Sequence, residues 1–245
     1  MSVMRTFATS GRVLRQLAHD PRTIALLFIV PPLLLTIMKY VFDGVPKVFD
    51  GIAPMLLGTF PMVMMFLITS ISTLRERTSG TLDRLMTMPI SKLDFMLGYA
   101  IAFSLLGFIQ ALISSFVMIH FLGVNVVGGE LAAIIGAVCA AFLGTALGLF
   151  TSAFARSEFQ AIQFMPAFIF PQLLICGLFV ARDQMAQPLQ WLANIMPLTY
   201  SVDAMQQITH HSEWTSDLTH DLIVVIAFGL AVLILGSITI RRQEK

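Results

Sequence analysis

The sequence predicts an all-α membrane protein: six transmembrane helices, preceded by an amphipathic helix at the membrane surface, in one domain spanning residues 1–245. Three observations predict it. Hydrophobic residues make up 57% of the chain and charged residues 12%, with a mean hydropathy of +0.84, a balance foreign to soluble globular proteins. Six apolar runs, at 23–42, 52–74, 95–122, 131–154, 160–180 and 222–240, approach or exceed the roughly 20 residues that cross a bilayer as a helix. Threading those runs leaves only Lys39, Lys47 and Arg182 opposite the N-terminus and the other twelve of the fifteen lysines and arginines beside it. The positive-inside rule then puts both termini in the cytoplasm. A net charge of +1, spread along the topology, provides no basic patch for nucleic acid.

Residues 3–19 are too polar to span. On a helical wheel Val3, Phe7, Leu14 and Leu17 share one face and Arg5, Arg12, Arg15 and His19 the other, the pattern of a helix lying on the inner leaflet. The run after it is too long for a secretory signal and lacks a small-residue cleavage site. Pro31-Pro32 predict a kink in the first span. The second span, 52–74, leads into the charged stretch 75–92. There Thr78 or Ser79 can cap a short helix, Gly80 permits a tight turn before it and Asp83 complements its dipole. Leu82, Leu85 and Met86 give that helix an apolar face, and Pro89 ends it. Ser91, ahead of Asp94, caps the third span.

The fourth span carries Ala132, Gly136, Ala140, Gly144, Gly148 and Ser152 at four-residue spacing. Such a stripe admits close helix approach, either in a dimer or inside the bundle. Between the fifth and sixth spans, 181–221 is rich in proline and interfacial aromatics: Pro188, Trp191, Pro197, Tyr200 and Trp214. Cys139 and Cys176 fall inside apolar runs and read as buried thiols rather than a disulfide. His210, His211 and His220 lack a carboxylate or cysteine at ligand spacing, so they read as solvated and no metal is expected.

Energy coupling is read from what the spans omit. Asp43, Asp50, Asp94, Glu130 and Asp221 sit at span ends or outside them, and Lys39 and His120 lie near outer ends. An ion-coupled carrier keeps ionisable groups nearer mid-membrane. No Gly-Lys-Ser/Thr accompanies any of the four lysines, so the chain is expected to carry no ATPase motor of its own. Neither His-Glu-x-x-His nor Gly-x-Ser-x-Gly occurs, and no span holds paired acids, which argues against an intramembrane enzyme.

Glu76, Gly80-Thr81, Asp83, Leu85 and Pro89-Ile90, placed between the second and third runs, resemble the coupling helix of ABC-2 type transporter permeases. Arg77 stands where that pattern often has an acid, and Asp83 where it often has Glu. Pro197-Leu198-Thr199-Tyr200-Ser201 with Asp203-Ala204 is similar to the family's outer re-entrant segment. The resemblance implies a multi-pass bacterial plasma-membrane exporter subunit driven by a separate ABC ATPase, two copies per transporter, with ATP and Mg bound there and no cofactor in this chain. It implies that Glu76, Arg77, Gly80, Thr81, Asp83, Arg84, Leu85 and Pro89 carry force from that partner, with Glu158 a secondary contact.

It also implies a second permease copy, identical or similar, with the second and fifth helices facing a shared pathway in the lipid membrane. Phe60, Met62, Met64, Met65 and Phe66 on the second helix would line it. Gln163, Phe164, Phe168, Gln172 and Phe179 would line it from the fifth. Adaptable methionine, broad phenylalanine and uncharged glutamine suit amphipathic or lipid-like cargo such as drugs and antibiotics. Export of a lipid-linked glycan, or a non-transporting accessory role, are the alternatives.

Overall fold

The computed structural model describes residues 3–79 and 92–239. Among them, nine α-helices occur and no strand, with the longest helix at the centre of the packing. They are α1 (Val3–Ala18), α2 (Pro21–Val41), α3 (Pro46–Thr78), α4 (Lys92–Phe116, continued by a π-helical turn Val117–Phe121), α5 (Glu130–Ser152), α6 (Glu158–Ile175), α7 (Gln187–Ala193), α8 (Pro197–His210) and α9 (Ser216–Thr239). Five are long and apolar enough to cross a membrane: α2, α3, α4 with its π turn, α5 and α9. α6, expected as a span over 160–180, ends at Ile175. Its 18 residues hold Gln160, Gln163 and Gln172 besides Pro166 and Pro171, which lower its apolarity and interrupt its backbone hydrogen bonds.

α1 buries the C-terminal part of its apolar face together with small hydroxyl residues. Thr6, Thr9, Ser10, Val13 and Leu17 are buried, whereas Val3 is 67% and Phe7 61% exposed. The reason is close packing on α4: a Cβ placed on Gly98 would stand 2.6 Å from the Thr9 Cβ and 2.9 Å from the Thr6 carbonyl oxygen. Only small side chains fit at that distance, and Val3 and Phe7 lie outside the contact. Asp20 then caps α2, accepting from the Thr23 amide at 3.2 Å and the Thr23 hydroxyl at 2.6 Å, with Pro21 at the first helical position. These hydrogen bonds hold the Asp20 carboxyl below the usual carboxylate range. Pro31-Pro32 lie inside α2, which runs on to Val41. Near its end the Lys39 ammonium donates to the Leu122 carbonyl.

α3 is longer than the run 52–74 at both ends, 33 residues with Pro54 and Pro61 inside it. The Thr78 hydroxyl donates back to the Leu74 and Arg75 carbonyls at 3.1 and 3.2 Å, and the Ser79 amide closes the last turn on Arg75 at 2.9 Å. The short helix expected after it, with Gly80, Thr81, Asp83, Arg84, Leu85 and Pro89, lies outside the described residues, as does Ser91.

The small-residue stripe of α5 is used inside the bundle. Gly144 lies directly against the Met62 carbonyl of α3, and a Cβ on Gly148 would stand 2.6 Å from the Phe66 carbonyl oxygen. A Cβ on Gly136 would stand 2.8 Å from the Met205 methyl of α8. Backbone-to-backbone approach of this kind maximises van der Waals contact where lipid supplies no hydrophobic drive. Cys139 and Cys176 are free and buried.

Candidate functional site

The last turn of α3 presents three consecutive charged residues, and the helical rotation of about 100° per residue sends each toward a different neighbour. Arg75 reaches α6, donating from Nε to Glu158 Oε1 at 2.7 Å and from Nη2 to Oε2 at 3.1 Å. Glu76 points into the bundle and is 4% exposed. Arg77 lies over the C-terminus of α5, donating from Nη1 to the Ser152 carbonyl and, at 3.5 Å, to the Ala155 carbonyl. A cation there satisfies orphan carbonyls at the negative end of the α5 dipole.

Glu76 is the centre of this arrangement. Arg12 of α1 donates to both of its oxygens, Nη1 to Oε1 at 3.1 Å and Nη2 to Oε2 at 2.9 Å, and the Tyr99 hydroxyl of α4 donates to Oε2. Arg12 Nη2 also lies 2.7 Å from the Tyr99 oxygen, and its guanidinium sits 5.8 Å from the Tyr99 ring centre. Phe95 and Phe103 pack beside that ring. A buried carboxylate is tolerated only when paired and hydrogen-bonded in this way. The end of α3 is thereby fastened to α1, α4, α5 and α6 together.

The three described coupling candidates thus face this chain's own helices: Glu76 meets Arg12 and Tyr99, Arg77 meets α5, and Glu158 meets Arg75. The sequence offers Arg12 only as part of a basic face and does not single out Tyr99. Its phenol in a run of apolar residues at the start of a span was the available signal, since a buried hydroxyl needs a partner.

The candidate pathway residues divide in two. Met62, Met65 and Phe66 have no exposed surface, because they occupy the α3 face that meets α4 and α5. Gln172 is also inside. It donates to the Phe168 carbonyl at 2.9 Å and accepts from the Leu198 amide at 3.4 Å, satisfying the first turn of α8. Phe60, Met64 and Phe164 are half-buried, whereas Gln163, Phe168 and Phe179 are exposed. On α3 the half-buried stripe runs Phe60, Val63, Leu67, Ile71, and the last of these shares a small cluster with Phe164. Among the described residues no group of three or more His, Cys, Asp or Glu side chains is placed to hold a metal.

Comparison with known proteins places this arrangement in a family. The family model described as "ABC-2 type transporter" matches residues 4–209. The chain is 26% identical over 185 residues to ABC transporter G family member 20 of Dictyostelium discoideum, covering 73% of this chain and 25% of that protein. It is 24% identical over 181 residues to the inner membrane transport permease YhhJ of Escherichia coli, covering 74% and 48%. It is 28% identical over 145 residues to the probable multidrug ABC transporter permease YbhS of the same species, covering 58% and 38%. The chain therefore spans half or less of the length of these relatives. The match over residues 4–209 takes in α1 through almost all of α8, and the chain belongs to the ABC-2 type transporter family.

Proposed function

We propose that this chain is the membrane-spanning permease of an ATP-driven exporter in a bacterial plasma membrane, moving an amphipathic or hydrophobic molecule outward. Power comes from a separate ABC ATPase present in two copies, which binds ATP and Mg, and a second permease copy completes the pathway. In this reading α6 is the sixth span, both termini are cytoplasmic, and α1 lies on the inner leaflet with Val3, Met4 and Phe7 toward lipid.

One observation carries the reading: residues 75–77 fasten the last turn of α3 to α1, α4, α5 and α6 immediately before the Gly80–Pro89 stretch that matches the coupling pattern. Gly80, Thr81, Asp83, Arg84, Leu85 and Pro89 take up motion from the ATPase. Glu76, Arg77 and the Arg75–Glu158 pair distribute it to the helices. Phe60, Gln163, Phe164 and Phe168, with Val63, Leu67 and Ile71, form the face toward the pathway. The description of the relative YbhS as a probable multidrug permease supports the choice of cargo class.

The test is purification of the chain from its native membrane in gentle detergent, with mass spectrometry of what stays bound. A stoichiometric protein bearing a P-loop, lost in Leu85→Asp, is the expected result. Recovery of the chain alone, or with membrane proteins only, would overturn the reading.

A further inference from the structure

Two polar cavities of about 420 and 280 Å³ lie side by side against α8. Tyr200, Gln207, His220 and Asp221 line the larger, and Gly177 and Ala181 the smaller. Arg182, Asp203 and Gln206 line both. Two of these shared residues form an ion pair, Arg182 Nη2 to Asp203 Oδ2 at 2.7 Å, with the Asp203 side chain 14% exposed. Arg182 belongs to a single 3-10 turn, Arg182–Gln184, beyond the end of α6. The chain leading to that turn is irregular: Gly177 has φ +96, a conformation other residues rarely adopt, and Phe179 and Val180 are exposed. Beyond Leu178, which packs on the core, the contacts of this segment are polar: Arg182 with Asp203 and Asn194, and Gln190 donating to the Met185 carbonyl.

We propose that the Arg182–Asp203 pair is the latch of an outer gate: closed, it divides the two cavities and pins the exit of α6 to α8, and open, it joins them into one polar vestibule for departing cargo. The proposal rests on the outward placement of 181–221 given above. Charged groups face Asp203 from two elements, Arg182 and Asp183 on the turn and Asp217, His220 and Asp221 at the start of α9. α3 meets this helix through uncharged Gly58 and Met55. Burial pushes the Asp203 carboxyl up to about 6 in spite of the guanidinium beside it.

The experiment places Gln206→Cys in a Cys139→Ala, Cys176→Ala background and follows labelling by a membrane-impermeant maleimide added to whole cells. Adding Arg182→Ala is expected to speed labelling about tenfold, the change that about 1.4 kcal/mol in the opening equilibrium produces. Arg182→Lys and the reversed pair Arg182→Asp with Asp203→Arg are expected to keep the slow rate. An unchanged rate in Arg182→Ala, or a reversed pair as fast as that single variant, would overturn the latch. The same contrast seen only with reagent on the cytoplasmic side would overturn the outward placement instead.

Discussion

The Glu76 carboxylate at the end of α3 is clasped by both Nη groups of Arg12, 64 residues earlier in the chain. One contact thus joins the N-terminal helix to the helix that leads into the coupling stretch. Glu76→Ala leaves the Arg12 guanidinium without its carboxylate. The expected loss is on the order of 2 kcal/mol, less than for a fully buried pair because 32% of the Arg12 side chain is exposed. Thermal melting of the purified protein measures it, and Arg12→Ala with Glu76→Ala should lose less than the two single losses added together.

Arg77→Ala removes the cation from the C-terminus of α5. A loss of about 1 kcal/mol is expected from the uncovered carbonyls of Ser152 and Ala155. Arg77→Lys should retain part of it. Hydrogen exchange in the last turn of α5 reports the change locally.

Gly144→Leu forces a side chain into the backbone contact with Met62. Melting should fall steeply even in dilute, monomeric samples, whereas Leu131→Ala at an exposed position of the same helix should change little. A stripe serving only to join copies would instead lose self-association and leave the monomer's melting unchanged.

Asp203 sets a pH dependence. Its carboxyl sits at about 6 in the folded protein against 3.8 ordinarily, so between those values the folded state holds a proton that the unfolded state releases. Its contribution to stability is therefore full below about 3.8 and falls as pH rises through 6. Melting of the wild type minus that of Asp203→Asn, measured from pH 4 to 7.5, should decrease along that window.

Five of the spans are legible because their cause is local, an apolar run long enough to cross a bilayer. Facing is not. α3 is apolar nearly all round, so nothing in its own residues distinguished Met62, Met65 and Phe66, which meet the glycines of α4 and α5, from Phe60 and Leu67, which retain open surface. On α1 the small residues Thr6 and Thr9 fit against Gly98, and hydrophobicity alone does not mark such a face as a packing surface. Glu76 and Arg77 stand out through the resemblance to the coupling pattern, but the partners Arg12 and Tyr99 of Glu76 come from distant segments that only the fold brings together.

The most direct test is the ATPase activity of the copurified complex carrying Glu76→Gln, which keeps the side-chain shape and removes the charge that Arg12 and Tyr99 hold. If the end of α3 passes motion to the bundle, the ATPase stays bound at wild-type stoichiometry while its stimulation by the permease falls about fivefold or more. Wild-type stimulation in Glu76→Gln, with the ATPase still bound, would contradict the account.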